Sequence, residues 1–515
     1  MEACVAISSD LTEARALADA ARWDEAAALC RSMLARDVGD PSALHLLGVV
    51  LLRQGNPAEA VPLLAAVAEK HHDSNVLHAL GEACLALGLR DEAQARFLAA
   101  TSALPVRPEA WLSLGNMSLE RDEPAEAERC FREALTPRPD FVEALNNLGN
   151  ALVAQLRLRE ASESYERALA LRPDSANTAF AYALALLLDG DFAAGWRHFE
   201  ARREAGPLRW NYQRRPALKQ WQPGMPLEGK RVLLMAEQGA GDIIQFVRYA
   251  PLLAALGTEV VLELPREMHA VFADLPGIAR TIGLEDPDPE CDVACPLLSL
   301  PLYSATVSDT IPQAVPYATV PPVRMHSWRA RLGPLPGRSG AIGPSGTCGL
   351  GGPSGPGGLA RAGGQRHIGL VCSGRPEHPH DRNRSIPLAR LAPIFGAPGC
   401  DFVLVQQQLR ERDQAALAAT PTLRWPGAQI RDFADTAALL TELDLLISVD
   451  TSVAHLAGAL ARPVWTLLPY APDYRWLLGR SDSPWYPTMR LYRQPSRGDW
   501  DAVIAAVRRD LDDRR

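Results

Sequence analysis

No uninterrupted apolar stretch in these 515 residues is long enough to cross a bilayer, so no transmembrane segment is expected. The opening run MEACVAISSDLTEAR carries acids early and no apolar core, which argues against a secretory leader. A basic excess is also missing. Lysine and arginine number 53 against 61 aspartates and glutamates, the net charge is −8, and no basic stripe is visible, so a nucleic-acid partner is not expected. Cysteine is sparse and unpatterned. There are nine, an odd number, and only Cys291 and Cys295 lie close together, with no second pair after them. That excludes a complete disulfide framework and a standard zinc spacing; reduced thiols and no metal are the expectation. These absences point to a cytoplasmic protein, with peripheral attachment at the inner membrane left open. What is present is ordinary for globular chains, 47% hydrophobic and 22% charged, over a length that predicts several domains.

The first two hundred residues repeat themselves. Gly48, Gly81, Gly115 and Gly149 recur at steps of 33, 34 and 34, each preceded by a leucine (Leu47, Leu80, Leu114, Leu148). Twelve residues after each comes Ala60, Ala93, Ala127 or Ala161, and four further on Leu64, Phe97, Phe131 or Tyr165. Pro105, Pro139 and Pro173 close three of the units. Small residues let two antiparallel helices approach, the large one fills the groove, and proline stops the helix before the next unit. The pattern resembles the tetratricopeptide repeat (TPR), most completely through Trp111, Leu114, Gly115, Ala127, Phe131, Ala134 and Pro139. ARWDEAAAL around Ala26 reads as a weak first copy and DGDFAAGWRHFEAR around Phe199 as a degenerate last one, so the array is expected over 7–206. All these positions read as core. The resemblance implies a concave face able to receive a protein or glycan acceptor. Asn146, Asn147 and Asn150 are either peptide contacts on that face or solvated polar positions.

From Lys230 the period changes. KRVLLMAEQ, GAGD, IIQFVRYAPLLAALG and TEVVLELP read as strand, turn, helix and strand, a βαβ unit with a parallel sheet. A second alternating block starts near Gln365, with HIGLVCSG, CDFVLVQ, LLISV and PVWTLLP as strands. The expected fold class is an α-helical TPR solenoid followed by an α/β region of two Rossmann-like lobes. The segments are a connector at 207–229, a first lobe at 230–322, a linker with a Gly/Pro-rich insert at 323–366, a second lobe at 367–500 and a closing amphipathic helix at 501–515. The insert cannot bury a core and has no phosphate-loop spacing.

Four places carry candidate chemistry. AEQGAGDIIQ puts Glu237, Gly239, Gly241 and Asp242 at a strand-to-helix turn, where a ligand can approach the backbone; Asp242 equally fits a helix cap. LLISVDTSVAH places Asp450, Thr451 and Ser452 at the next helix start, with His455 one turn on, an anion site or a capped helix with a surface histidine. SGRPEHPHDRNRSIP offers Ser373 and Gly374 at a strand end, then Arg382 and Arg384 as phosphate partners; His378 and His380 lack further metal ligands and read as a solvated loop. Tyr474, Trp476, Trp485 and Tyr486 fit stacking on a base or sugar, or packing on the final helix.

Together these motifs resemble the heptosyltransferase-related family 9 glycosyltransferases carrying N-terminal TPRs. The resemblance covers about Lys230 to Trp500 and implies a GT-B fold with the active site between the lobes. It implies Asp242, after Gly241, as catalytic base. It implies a diphosphate contact at Asp450-Thr451-Ser452-Val453-Ala454-His455, where Ser452 stands in place of the usual glycine and narrows the pocket. Arg384 is the nearest equivalent of a family lysine. The implied reaction is inverting transfer from a nucleotide-sugar substrate, with no cofactor and no required metal; the helix dipole is expected to keep the Asp242 pKa low. The competing readings are a non-catalytic TPR scaffold with a degenerate transferase region, and an epimerase or hydrolase on the same lobes. The last would call for further carboxylates or a histidine in the cleft, and no such set is visible in the sequence.

Overall fold

The period of glycines becomes a period of close helix contacts. The computed structural model describes residues 2–206, 214–332, 365–378 and 381–513. Most of the Gly/Pro-rich insert, part of the 207–229 connector and His380 lie outside the described residues. The chain divides into two units, Met1–Tyr182 and Ala183–Arg515.

In the first unit the helices run α1 (Glu2–Asp19), α2 (Trp23–Arg36), α3 (Pro41–Arg53), α4 (Pro57–Ala68), α5 (Ser74–Ala86) and α6 (Arg90–Ser102). They continue as α7 (Pro108–Glu120), α8 (Pro124–Leu135), α9 (Val142–Ala154) and α10 (Leu158–Leu171). Each repeat glycine lies on the first helix of a pair, under the large side chain of the second. A Cβ would fall 2.6 Å from Leu64 Cγ at Gly48, and 2.6, 2.4 and 2.5 Å from the Cε1 atoms of Phe97, Phe131 and Tyr165 at Gly81, Gly115 and Gly149. Leu64, Phe97, Phe131 and Tyr165 are fully buried there. Two of the helices are capped by aspartate: Asp40 accepts from the Ser42 and Ala43 amides, and Asp73 from those of Asn75 and Val76. Asn147 donates to Asn116 at 2.7 Å, and Asn150 accepts from Tyr165 Oη at 2.7 Å.

The second unit begins earlier than 206. α11 (Ala176–Asp189) crosses the division, and α12 (Phe192–Phe199) runs into a tight turn at Glu200–Arg203. The degenerate last repeat therefore belongs with the α/β region. The reason is a buried ion pair: fully buried Arg202 donates twice to Glu237, at 3.0 and 2.8 Å, and once to Ser299 Oγ at 2.8 Å. Glu237, a candidate ligand-loop residue in the sequence, is thereby consumed as a structural anion.

The first sheet has β1 (Arg231–Met235), β2 (Glu259–Glu263), β3 (Ile278–Ile282) and β4 (Val293–Pro296), all parallel, in the order β3-β2-β1-β4. The described part of the expected connector is not free. Trp221 donates its amide to Ala294 O, Lys219 O accepts from the Ala294 amide, and Arg215 forks onto buried Glu263. The second sheet has β5 (Arg366–Val371), β6 (Cys400–Leu404), β7 (Leu445–Val449), β8 (Val464–Leu468) and β9 (Met489–Arg493), all parallel, in the order β6-β5-β7-β8-β9. Ile368, Leu370, Ile447 and Leu467 share a core with Trp500, Val503, Ile504, Val507 and Leu511 of the closing helix Trp500–Asp513. At about 1.5–3 kcal/mol for each such side chain removed from water, this contact is the main hold on the last helix, with Arg490 and Tyr492 adding bonds to Asp510.

The expected linker opens on a helix, Pro322–Leu332. Its single buried residue is Trp328, whose Nε1 donates to Asp435 at 3.1 Å. Arg324 pairs with Asp432 and Asp435, and Arg329 with Glu442, so the helix is clamped to the second-sheet layer by charge.

Candidate active site

Both strand-to-helix turns singled out in the sequence come together. After β1 the chain turns at Gln238, in the left-handed region at φ 58°, and enters the helix Ala240–Phe246. After β7, Asp450 and Thr451 lead into the helix Ser452–Ala459. Gly241 permits the meeting. A Cβ there would lie 3.0 Å from His455 Cδ2 and 3.7 Å from Ser452 Cα. Its role here is close helix approach.

Asp242 sits at this junction with a side chain 16% exposed. Its Oδ2 accepts from the Gly239 amide at 2.9 Å, so it reaches back to the helix start and is not itself the first cap residue. Its Oδ1 takes an ion pair from Arg475 Nη2. Burial raises its pKa above the usual carboxylate value, against the pull of Arg475 and the Gly239 N–H. The sequence-based expectation of a lowered pKa is overturned: the helix has seven residues, and loss of water outweighs its dipole.

Arg475 is the residue that sequence reasoning missed. Its Nε donates to Gln245 Oε1 at 2.6 Å and its Nη1 to Asp473 Oδ1 at 2.7 Å, while its guanidinium lies 4.6 Å from the Tyr474 ring centroid. Its local signal is an arginine between two aromatics, Tyr474 and Trp476.

His455 is not a surface histidine. It is buried, its Nδ1 lies 2.9 Å from Tyr486 Oη, and its ring stacks on Trp476 at 5.3 Å. Its Nε2 lies 3.8 Å from Asp450 Oδ1. Burial first, then Arg475, Arg248 and Arg384, push its pKa well below the ordinary value, so it is a neutral imidazole that acts through hydrogen bonds and packing. Asp450 accepts from Trp476 Nε1 at 2.9 Å. Burial, helped by Asp473, raises its pKa to about 6. Thr451 stands at the N-cap position but makes no side-chain cap; its hydroxyl lies 3.2 Å from Ser448 Oγ. Ser452 is half-buried at the first helical position.

Arg384 also reaches this turn. Its Nη1 donates to the Asp450 carbonyl at 2.9 Å, and its buried Nε has no hydrogen-bond partner. Its guanidinium lies on Gly374, where a Cβ would fall 2.6 Å from Nη2. Ser373 and Gly374 themselves are already engaged: Ser373 Oγ accepts from Gln406, the Gly374 amide donates to Ser385, and its carbonyl accepts from Arg410. Arg382 points to solvent. Among the described residues no group of three or more His, Cys, Asp or Glu side chains is arranged to hold a metal ion.

The four aromatics neither line an open surface nor pack on the final helix. All are buried. Tyr474 meets Trp196 and Phe199, Trp485 meets Phe246, and Tyr486 and Trp476 flank His455. They form the wall that holds the two lobes and α12 together.

Known proteins match along the same division. The tetratricopeptide repeat family matches residues 17–80, 51–116 and 142–175. The family described as glycosyltransferase family 9 (heptosyltransferase) matches residues 428–485, which include Asp450, Thr451, Ser452, His455 and Arg475. Protein FlbA of Caulobacter vibrioides is 27% identical over 359 residues, 65% of this chain and 54% of that protein, so the chain spans about half its length. Among solved structures, Pseudomonas aeruginosa PilF is 18% identical, covering 42% of this chain and 99% of its own, with a TM-score of 0.38. MamA is 19% identical, covering 33% of this chain and 93% of its own, with a TM-score of 0.29.

Proposed function

We propose, from the matches to tetratricopeptide repeats and, over residues 428–485, to glycosyltransferase family 9, that this chain moves a sugar from a nucleotide-diphosphate sugar to an acceptor hydroxyl, with inversion. In this reading the two lobes form a GT-B fold, and the repeat array recruits a protein or glycan acceptor by its concave face. The observation that carries the reading is the contact of Gly241 with Ser452 and His455, which sets Asp242 opposite the start of the second-lobe helix.

Asp242 accepts the proton of the acceptor hydroxyl while that oxygen bonds to the anomeric carbon. The bond from that carbon to the diphosphate breaks, and the leaving group takes the electron pair. A carboxylate whose pKa is raised by burial is a stronger base than an exposed one, in the direction general base catalysis requires. Arg384, whose Nε makes no hydrogen bond and only a 3.9 Å ion pair with Asp381, and the Thr451 and Ser452 groups at the helix start receive the developing charge. Fixed cations of this kind supply the charge that other transferases take from a divalent ion, so the transfer is proposed to be metal-independent.

The scaffold reading also has an observation in its favour. Both Asp242 oxygens are engaged and the two turns touch, as they would in a region kept only for its shape. Titrating the full chain with a panel of nucleotide sugars, and following thermal shift and sugar transfer, separates the two. Transfer that falls ~10²–10⁴-fold in Asp242→Asn, the range for loss of a general base, supports the enzyme. No stabilisation by any nucleotide sugar or nucleoside diphosphate would sink it.

A further inference from the structure

Arg475 holds two carboxylates at once, one from each lobe. Its Nη2 pairs with Asp242, which follows β1, and its Nη1 lies 2.7 Å from Asp473, which follows β8. The side chain is 11% exposed and that of Asp242 16%, so their pair is poorly screened, while Asp473 is half-exposed. The next residue, Trp476, donates to Asp450 and stacks on His455, so the guanidinium stands between Asp242 and the start of the second-lobe helix. Its field reaches both Asp450 and His455.

This placement poses a chemical conflict. A base needs a free oxygen lone pair aimed at the incoming proton. Here Asp242 Oδ1 is taken by Arg475 and Oδ2 by the Gly239 amide. Each oxygen keeps a second lone pair, but the guanidinium on Oδ1 lowers its basicity, so Asp242 becomes the stronger base once Arg475 has another partner. A diphosphate carries more charge than one carboxylate and offers oxygens in the geometry a guanidinium prefers. Resting on the reading of Asp242 as base, we propose that Arg475 exchanges partners, leaving Asp242 to bind the donor's diphosphate. Donor binding then uncovers the base. Asp473 keeps the guanidinium from swinging into solvent during the exchange, and Gln245 holds its Nε end.

Asp242 and the diphosphate thus compete for one guanidinium, and competition has a sign that a purely structural role does not share. The probes are uridine, guanosine, adenosine and cytidine diphosphates, titrated into the full chain by calorimetry. With whichever nucleoside diphosphate binds wild type, Arg475→Gln is expected to weaken binding ~10–100-fold, the scale of losing a charge-assisted contact to phosphate. Asp242→Asn is expected to tighten binding ~3–10-fold, because the rival anion is gone. In the double variant the tightening disappears. If Arg475→Gln does not fold, Arg475→Lys keeps a point charge without the fork and is expected to weaken binding ~3–10-fold relative to wild type.

Weaker binding in Asp242→Asn, or tightening that persists in the double variant, overturns the exchange. If Arg384→Gln weakens binding while neither Arg475 nor Asp242 substitution changes it, the donor reading stands and this proposal alone fails. If wild type binds none of the four, the donor reading itself fails and takes the exchange with it.

Discussion

Arginine does opposite work in the two units. In the repeat array it pairs with glutamate on the outside: Arg22 with Glu25, Arg129 with Glu126, and Arg159 with Glu163, the last pair 92% and 60% exposed. In the α/β unit Arg202 and Glu237 are 0% and 1% exposed, and Arg475 and Asp242 are 11% and 16% exposed. Exposed pairs gain little, because water and salt screen them and two long side chains must be held still. Buried pairs have already lost their water, so neither partner can be removed alone without stranding the other. The array is therefore held by shape and the α/β unit by shape plus fixed charge.

Breaking a buried pair should give the largest effect. Arg202→Met, which keeps the bulk and strands Glu237, is expected to cost about 3–5 kcal/mol of stability in chemical denaturation of the full chain. Adding Glu237→Leu should recover a good part of that loss, since a buried pair replaced by apolar groups is often tolerated. A smaller loss tests the array's dependence on shape. Gly115→Ala places a methyl where Phe131 already sits, and overpacking of this kind is expected to cost about 1–3 kcal/mol. The smallest effect sharpens the contrast: Arg159→Ala is expected to leave the denaturation midpoint unchanged. An Arg159→Ala loss as large as that of Arg202→Met would erase the distinction.

Legibility followed the same line. The repeat was readable because its determinants are local: Gly115 and Phe131 belong to adjacent helices, and their spacing in sequence is their spacing in space. Strands β1, β2, β5, β6, β7 and β8 were readable as apolar runs, since parallel strands are covered on both faces. Strands β3 and β9 were not. Both lie at sheet edges and carry arginine, Arg280 in one and Arg490 and Arg493 in the other, which breaks the apolar run. The helix Pro322–Leu332 was read as linker because Trp328 is its single buried residue and its clamps, Asp432, Asp435 and Glu442, lie far along the chain.

The candidate site divides in the same way. Asp242, Arg384, Asp450, Thr451, Ser452 and His455 were found from local spacing, and their turns do come together. Their protonation was not readable. The Asp242 and His455 shifts arise mainly from burial, and burial is a property of the packed lobes. The role of Arg475 was unreadable for a related reason: its partners Gln245 and Asp242 come from the other lobe.

Sequence alone determined where the repeats stand, which apolar runs become parallel strands and which residue types stand at the two turns. Each of these depends on contacts between near neighbours or on the apolar character of short runs. Tertiary structure decided that α12 belongs to the α/β unit, that Glu237 neutralises Arg202, and that Arg475 covers Asp242. Charges brought together from distant parts of the chain, and the water lost when they meet, have no local signature.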